Sequence, residues 1–314
     1  MFETIIVPAD GSPQDETTAA VGARIARQCK ATLRFVRVHV PPERDIEPFP
    51  GIDEDVECFE EAYLKQIANG TRMQFGRTVE AELLTGPVGP AIAERAASLP
   101  SPLVVMSTHG RTGFSRLWLG SVADAVARSS KVPVLLLRIP PRPATGPPSP
   151  PLRFNRVVVP LGTSEFAERV LEPVITLSAL DHGCIHLVRV LEQVVIPEFP
   201  FAYVTPRLET TEELQDRKRR AGEYLENLAV HVRARNGIKD VSSEVVADEA
   251  VSSAILEAAK GRSADLVAVT THGRGASRLV IGSVADKVLR GSACAVLVVH
   301  PPMETPLLPV AHRQ

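Results

Sequence analysis

Residues 108–124 read THGRTGFSRLWLGSVAD, and residues 271–286 read THGRGASRLVIGSVAD. When Thr112 is placed opposite a gap, 13 of the 16 aligned positions are identical. Each copy follows a short apolar run, which predicts that it begins where a buried strand ends. Small residues and backbone N–H groups at such a place are typical of phosphate-binding loops. The sequence therefore predicts two related anion-binding loops in one chain.

The duplication extends over most of the chain. Three further pairs of segments correspond in the same order: 5–8 with 157–160, 33–38 with 185–190, and 134–137 with 295–298. The repeat period, about 150 to 160 residues, is too long for a solenoid, and each half has the length of an ordinary domain. We therefore predict two tandem copies of one domain.

The boundaries of the two copies follow from composition. We expect the first domain at residues 1–139 and the second at 153–302, followed by a tail at 303–314. The stretch between them, residues 140–152, is rich in proline. Proline disrupts regular hydrogen bonding and favours extended conformations, so this stretch is predicted to be a semi-rigid linker.

The composition excludes several classes of partner. The 314 residues are 44% hydrophobic, and Lys+Arg 35 against Asp+Glu 37 leave a formal charge of −2. A nearly neutral chain has no general attraction to nucleic acid or an anionic membrane, and its apolar runs are only strand-sized. We therefore expect neither partner. The four cysteines are scattered without a CxxC pair, which favours reduced thiols and a cytoplasmic location.

Strand and helix patterns alternate in the first half. Strands are predicted at 4–7, 33–40, 78–84, 103–107 and 134–138, and helices at 15–29, 56–75, 90–98 and 121–129. The strands are rich in Val, Leu and Ile without a clean alternation, as expected when helices cover both faces of a parallel sheet. This pattern predicts an α/β fold with a doubly wound, Rossmann-like sheet in each half. Ligands of such sheets bind beyond the carboxyl ends of the strands, where the strand order reverses.

The loop spacing resembles that of the universal stress proteins, in their tandem form. Nucleotide-binding members carry Gly, two residues, Gly, nine residues and then Gly-Ser or Gly-Thr, with an Asp after the first strand. Here Gly110, nine residues and Gly120-Ser121 have this spacing, and Asp10 stands at the place of the acid. The resemblance implies two HUP-type (adenine nucleotide alpha-hydrolase-like) domains. It also implies strand order 3-2-1-4-5, an adenine nucleotide ligand and dimers formed through the last strand.

The chemistry of the first loop can also be argued from its residues. Gly110 and Gly120 lack a Cβ, so a loop can take a positive φ and bring backbone N–H groups against phosphate oxygens. Ser121 begins a helix, whose N-terminal end carries partial positive charge. Asp10 is an acceptor suited to a ribose hydroxyl or an adenine edge. The alternative is that the glycines only form turns and that Ser121 is an ordinary N-cap.

Two sets of candidate site residues follow. In the first half the candidate nucleotide contacts are Pro8, Asp10, Val38, Met106, Ser107, His109, Gly110, Gly120, Ser121 and Val122. The weaker candidates in the second half are Val190, Thr270, Gly273, Gly282, Ser283 and Val284.

Both halves depart from the family pattern, and the second departs further. Ser107 replaces the first Gly in one copy and Thr270 replaces it in the other. In the second copy only eight residues separate Gly273 from Gly282, and Gly162 stands where Asp10 stands in the first. We therefore expect the first half to bind nucleotide and the second to bind weakly or not at all.

The leading functional hypothesis is a stress-response module that binds ATP, ADP or AMP, with or without Mg²⁺, and catalyses no dedicated reaction. The alternatives are a slow ATPase and a ligand-free scaffold. His109 and His272 lie beside the loops, where an imidazole could transfer a proton. No activated nucleophile or acid-rich metal site lies next to them. His182 and His186 are four residues apart but are not expected to share a helical face, so no protein metal site is predicted.

The resemblance also predicts how the two copies meet. Because single-domain relatives pair through their last strands, residues 132–138 are expected beside residues 293–299 in an internal pseudo-dimer. A further homodimer remains open.

Overall fold

The computed structural model describes residues 1–41, 52–76, 78–108, 119–139, 152–162, 166–192, 195–198, 205–271 and 281–300. In the first half the strands are β1 (Thr4–Pro8), β2 (Thr32–His39), β3 (Val79–Thr85), β4 (Pro102–Ser107) and β5 (Val134–Leu137). The helices are α1 (Asp15–Cys29), α2 (Ile52–Phe75), α3 (Val88–Ala97) and α4 (Ser121–Ser129). The predicted linker, apart from Leu152, and the predicted tail lie outside the described residues.

The described part of the second half repeats this order and adds a two-stranded hairpin, formed by β8 and β9, and two short 3-10 helices. Its strands are β6 (Arg156–Pro160), β7 (Cys184–Leu191), β8 (Val195–Glu198), β9 (Thr205–Leu208), β10 (Asp240–Ala247), β11 (Leu266–Thr270) and β12 (Ala295–Val299). Its helices are α5 (Leu171–Ser178), α6 (Thr211–Arg233), α7 (Val251–Gly261) and α8 (Ser283–Gly291). Thr210 and Glu213 begin α6 with a capping box, in which each side chain bonds the backbone N–H of the other.

Ten strands form a single sheet in the order β10-β7-β6-β11-β12-β5-β4-β1-β2-β3. In this sheet the pairing is parallel within each half, and the halves join where β5 and β12 run antiparallel. In this seam Leu297 lies opposite Leu135, between the pairs Val296 with Leu136 and Val298 with Val134. The two α/β units therefore share one continuous sheet.

Helices cover both faces of the sheet. Ile5 and Val7 point into the layer that contains α1 and α2, whereas Ile6 between them points into the layer of α3 and α4. All three side chains are at most 1% exposed. Each layer continues across the seam into the second half. Strands buried on both faces explain why the sequence shows apolar runs rather than alternation.

A cluster of four charged side chains joins α4 to α8, and we call it the Asp–Arg square. It consists of Asp124, Arg128, Asp286 and Arg290. Arg128 contacts Asp124 at 2.9 Å and Asp286 at 2.5 Å, while Arg290 contacts Asp124 at 2.8 Å and Asp286 at 3.2 Å. Each acid therefore pairs with an arginine of its own helix and with one of the other half.

The structure corrects one detail of the repeat. Thr108 N–H donates to the Leu137 carbonyl at 3.1 Å, and Thr271 N–H donates in the same way to Val299 at 3.1 Å. Residues 134–137 therefore correspond to 296–299, one residue later than the sequence alignment suggests. Both strands are runs of Val and Leu, so their composition matches equally well in either register.

Candidate functional site

The candidate site of the first half lies where the order of the strands reverses. β1 pairs with β2 on one side and with β4 on the other. The connection that follows β1 leads to α1 on one face of the sheet, and the connection that follows β4 leads to α4 on the opposite face. These connections therefore diverge at the carboxyl ends of β1 and β4, and a crevice between them is the usual ligand position of such sheets.

The β4–α4 connection is closed at its base by backbone hydrogen bonds. Gly120 N–H donates to the Thr108 carbonyl at 2.8 Å, and Thr108 is itself bonded to Leu137 at the end of β5. Thr108 is only 1% exposed. The loop between these fixed points, residues 109–118, lies outside the described residues, and with it the predicted contacts His109 and Gly110.

The start of α4 differs from its predicted form. The N-cap is Gly120, with φ −59° and ψ 150°, so Ser121 is the first helical residue and not the cap. Gly120 thus adopts an extended conformation that does not require glycine. No side chain from the described part of the chain caps this helix. The N–H groups of a first helical turn have no partner within the helix, so those of Ser121 and Val122 fit an anion.

The charge around this helix end also suits an anion. Asp124 stands in the first turn of α4, where its carboxylate would repel a phosphate. The Asp–Arg square, however, pairs this carboxylate with Arg128 at 2.9 Å and with Arg290 of the other half at 2.8 Å. The carboxylate in the first turn is therefore charge-paired, and the helix terminus keeps its partial positive charge.

The remaining first-half candidates line the ends of β1, β2 and β4. Asp10 is exposed beyond β1, and its Oδ1 accepts a hydrogen bond from Ser12 N–H at 2.9 Å. Pro8 ends β1 and Ser107 ends β4, and both are half-buried. Val38 and Met106 belong to the apolar layer of α3 and α4. The candidates thus provide an exposed acid on one side and an apolar wall on the other.

The turn that follows Asp10 contacts a group of buried polar side chains that the sequence does not predict. Asp15 Oδ2 accepts hydrogen bonds from Gly11 N–H at 2.8 Å and from the Tyr63 hydroxyl at 2.7 Å. On the same side of the sheet, Glu60 contacts Arg37 and His39, each at 2.9 Å. Burial opposes ionisation of Glu60, yet hydrogen bonds from His39 and Arg37 hold its pKa below the usual range.

One sequence signal could have revealed part of this group. A charged residue in a buried strand needs a partner, and Arg37 recurs as Arg189 in the matching strand of the second half. The partners of Arg37 lie on α2, more than 20 positions away, and no motif marks them.

In the second half the base of the loop has the same construction. Gly282 N–H donates to the Thr271 carbonyl at 2.8 Å, and Gly282 has φ −59° and ψ 151°, like Gly120. Nine residues, including Gly273, lie between Thr271 and Ile281, against ten between Thr108 and Leu119, and both stretches are outside the described residues. The difference in loop length therefore changes neither the hydrogen bond that closes the base of the loop nor the conformation of the glycine before the helix.

The other second-half candidates also hold positions that match the first half. Val190 lies in β7 and Thr270 ends β11, both half-buried, while Ser283 and Val284 are exposed at the start of α8. Gly162 is exposed where Asp10 stands in the first half. The second site thus retains the helix terminus but lacks the acid.

His182 and His186, which are four residues apart in the sequence, lie in different environments. His186 is buried in β7 and contacts Ser242 at 2.8 Å and Glu244 at 3.2 Å, whereas His182 is exposed in the turn before that strand. Within the described ranges, no group of three His, Cys, Asp or Glu side chains could hold a metal ion. In the same ranges no helix has the combination of length and apolar character needed to span a membrane.

We predict that His186 makes stability depend on pH. Burial, and then the charge of Arg262, lower the pKa of His186 below its ordinary value of 6.5, against the opposing effect of Glu244. The unfolded chain therefore binds this proton more readily, and stability falls as the pH drops through 6.5 toward the folded pKa. The slope contributed by one such group is at most about 1.4 kcal/mol per pH unit.

Urea denaturation between about pH 7.5 and 5 tests this prediction. His186→Gln should show a shallower fall in stability than the wild-type chain, because glutamine does not titrate. His231→Gln is the control, since His231 is exposed on α6. Identical slopes for the wild type and His186→Gln would contradict the prediction.

Comparisons with known proteins agree with this architecture. A model of the universal stress protein family matches residues 1–138 and again residues 153–300. A universal stress protein of Mycobacterium tuberculosis is 26% identical over 328 aligned positions, covering 96% of each chain. One from Thermus aquaticus is 31% identical over 146 positions, 44% of this chain and 100% of its own. The crystal structure of a universal stress protein from Archaeoglobus fulgidus matches with a TM-score of 0.62 and covers 96% of this chain and 97% of that one. At 21% sequence identity, this match shows a similarity of fold.

Proposed function

Because the chain belongs to the universal stress protein family, we propose that its first half binds an adenine nucleotide, ATP or its product ADP or AMP, in the crevice between β1 and β4. The phosphates would meet the first turn of α4 and the loop before it. The adenosine would lie against Val38 and Met106, with Asp10 accepting a hydrogen bond from the ribose or the base. Binding, without a dedicated reaction, would be the function of this stress-response module.

One observation carries this proposal: the start of α4, which no side chain of the described ranges caps, and the exposed acid flank the same switch point. Gly120 is tied to the end of β4 through Thr108 at 2.8 Å, and Asp10 follows the neighbouring strand β1. Gly120 immediately precedes α4 and Asp10 lies two residues beyond β1, so both groups are anchored close to regular elements. A Mg²⁺ ion would then arrive with the nucleotide phosphates and not at a protein site of its own.

We propose further that the second half binds nucleotide weakly or not at all. Its helix terminus has the same form, so it retains the anion-binding element. Gly162 offers no carboxylate to the adenosine, and the loop is one residue shorter. The second half therefore lacks the carboxylate proposed to recognise the nucleoside, and its phosphate loop differs in length.

The proposed setting is the reducing cytoplasm, which is supported by four free cysteines. A homodimer, if formed, would use a surface other than the last strands, because β5 and β12 already pair with each other within the chain.

The test is to release small molecules from freshly purified protein by denaturation, identify them by mass spectrometry, and then titrate ATP with and without Mg²⁺ by calorimetry. We expect one adenine nucleotide per chain. Asp10→Ala should weaken binding about tenfold or more, because hydrogen bonds to charged groups are the strong ones. Asp240→Ala, an exposed acid at the far edge of the second half, is the control.

Other outcomes would each contradict a distinct part of the proposal. Two equivalents of ATP with similar affinity would show that both halves bind. Mg²⁺-dependent turnover would favour the slow ATPase. No nucleotide released and no heat on titration would leave the ligand-free scaffold.

A further inference from the structure

We propose that Tyr63, on α2, is a positioning residue of the first-half nucleotide site: its hydroxyl fixes Asp15, and Asp15 fixes the turn that carries Asp10. The inference rests on the proposed function. It adds a contribution from α2, a helix that directly follows neither β1 nor β4.

The central contact is a carboxylate that ties the turn to the helix. Asp15, the first residue of α1, is 5% exposed. Its Oδ2 accepts hydrogen bonds from Gly11 N–H at 2.8 Å and from the Tyr63 hydroxyl at 2.7 Å. Gly11 has φ +83°, a left-handed conformation that favours glycine. The backbone next to Asp10 is therefore held in a specific turn by a side chain that α2 holds in place.

The charge of Asp15 depends on this contact. Burial raises its pKa, and the hydrogen bond from Tyr63 is the largest opposing effect, while the nearby carboxylate of Asp10 raises it further. Without the hydroxyl, Asp15 would lose its main support as an anion. Its hold on Gly11 would then weaken, because a protonated acid is a poorer acceptor than a carboxylate.

Tyr63 is itself fixed by neighbours on β2. The Arg37 guanidinium lies 5.7 Å from the centre of the Tyr63 ring. Arg37 also binds Glu60 at 2.9 Å, and Glu60 lies one helical turn before Tyr63 and contacts the buried His39 at 2.9 Å. These contacts hold α2 against the sheet, so the tyrosine hydroxyl has a defined position.

The second half contains a related contact with no acid to position. The Tyr224 hydroxyl donates to Glu168 at 2.8 Å, and Arg189 lies 5.3 Å from the centre of the Tyr224 ring. Gly162 stands in place of Asp10, so the corresponding position carries no carboxylate. Tyr224→Phe is therefore a matched control, since it removes the same kind of hydrogen bond from the same kind of fold.

The experiment measures binding of ATP and of inorganic tripolyphosphate to the full chain and to its Tyr63→Phe and Tyr224→Phe variants. Tyr63→Phe should weaken ATP binding about tenfold and leave tripolyphosphate binding unchanged, because tripolyphosphate lacks the adenosine that Asp10 recognises. Tyr224→Phe should bind both like the wild type. A general loss of structure would weaken both ligands together, and it would appear as a lower melting temperature without ligand.

The inference is overturned if Tyr63→Phe binds ATP as tightly as the wild type, or if it loses both ligands equally. If the wild-type chain binds no ATP, the proposed function fails, and hydrogen exchange of the Gly11 amide still tests the tether. That amide should exchange faster in Tyr63→Phe than in Tyr224→Phe. Equal exchange rates would rule out the tether itself.

Discussion

Leu297→Ala is expected to lower the free energy of unfolding by about 2–5 kcal/mol, as large-to-small substitutions in well-packed cores do. Leu297 is 0% exposed and lies on β12 directly opposite Leu135 of β5, at the centre of the seam between the halves. The truncation therefore leaves a cavity lined by both copies of the domain. Leu135→Ala should have a similar cost for the same reason.

The double variant distinguishes a shared seam from two separate cores. Because Leu135 and Leu297 are cross-strand neighbours, their effects should depart from additivity by about 0.5–3 kcal/mol. Leu33→Ala is the control, since Leu33 is 2% exposed on β2, three strands from β5. It should combine additively with Leu297→Ala. Urea denaturation of the single and double variants gives these values, and strict additivity of the two seam variants would contradict direct packing between them.

The order and position of the elements could be predicted from the sequence because local signals were strong and appeared twice. Apolar runs of strand length alternate with helical segments, and α1 and α4 have the predicted bounds, 15–29 and 121–129. The family likewise could be predicted, because the Gly120-Ser121 spacing is a specific local pattern. Where the local signal is degenerate, as in the Val- and Leu-rich last strands, the sequence predicts a register that is wrong by one residue.

The contacts between distant residues could not be predicted. Asp15 and Tyr63 are 48 positions apart, and Arg290 and Asp124 are 166 apart. Both pairs form only after the sheet brings their helices together, and neither lies in a motif that names its partner. The repeated Asp124 and Asp286 were visible in the sequence, but nothing there indicates that each pairs with an arginine of the other half. The sequence thus predicts which elements carry the site, whereas the side chains that hold it in place depend on packing.

Gly183→Val is expected to destabilise the second half by about 3 kcal/mol or more, because the new side chain has no space. A Cβ at this position would lie 2.4 Å from the Phe154 carbonyl oxygen, 2.5 Å from Ser178 Oγ and 3.1 Å from the Asn155 carbonyl oxygen. Two of these three atoms belong to the backbone and cannot rotate away. Gly183 is also held on both sides, since its N–H donates to Ser178 at 2.9 Å and its carbonyl accepts from Lys239 at 2.9 Å.

Gly222→Val is the matched control: among the described residues, and apart from its chain neighbours and the backbone of its own helix, nothing lies within 4 Å of a Cβ built at that position on α6. It should change stability little, since valine has a slightly better helix propensity than glycine. The measurement is the urea midpoint of each variant, with Gly183→Ala included in case the valine variant does not fold.

The first half has Ala31 at the position that corresponds to Gly183, with its N–H bonded to the Ala26 carbonyl at 2.8 Å. A methyl group is thus accepted in one copy, so a wild-type urea midpoint for Gly183→Ala would mean that the second copy also accommodates a methyl group and that the close approach at Gly183 is not required.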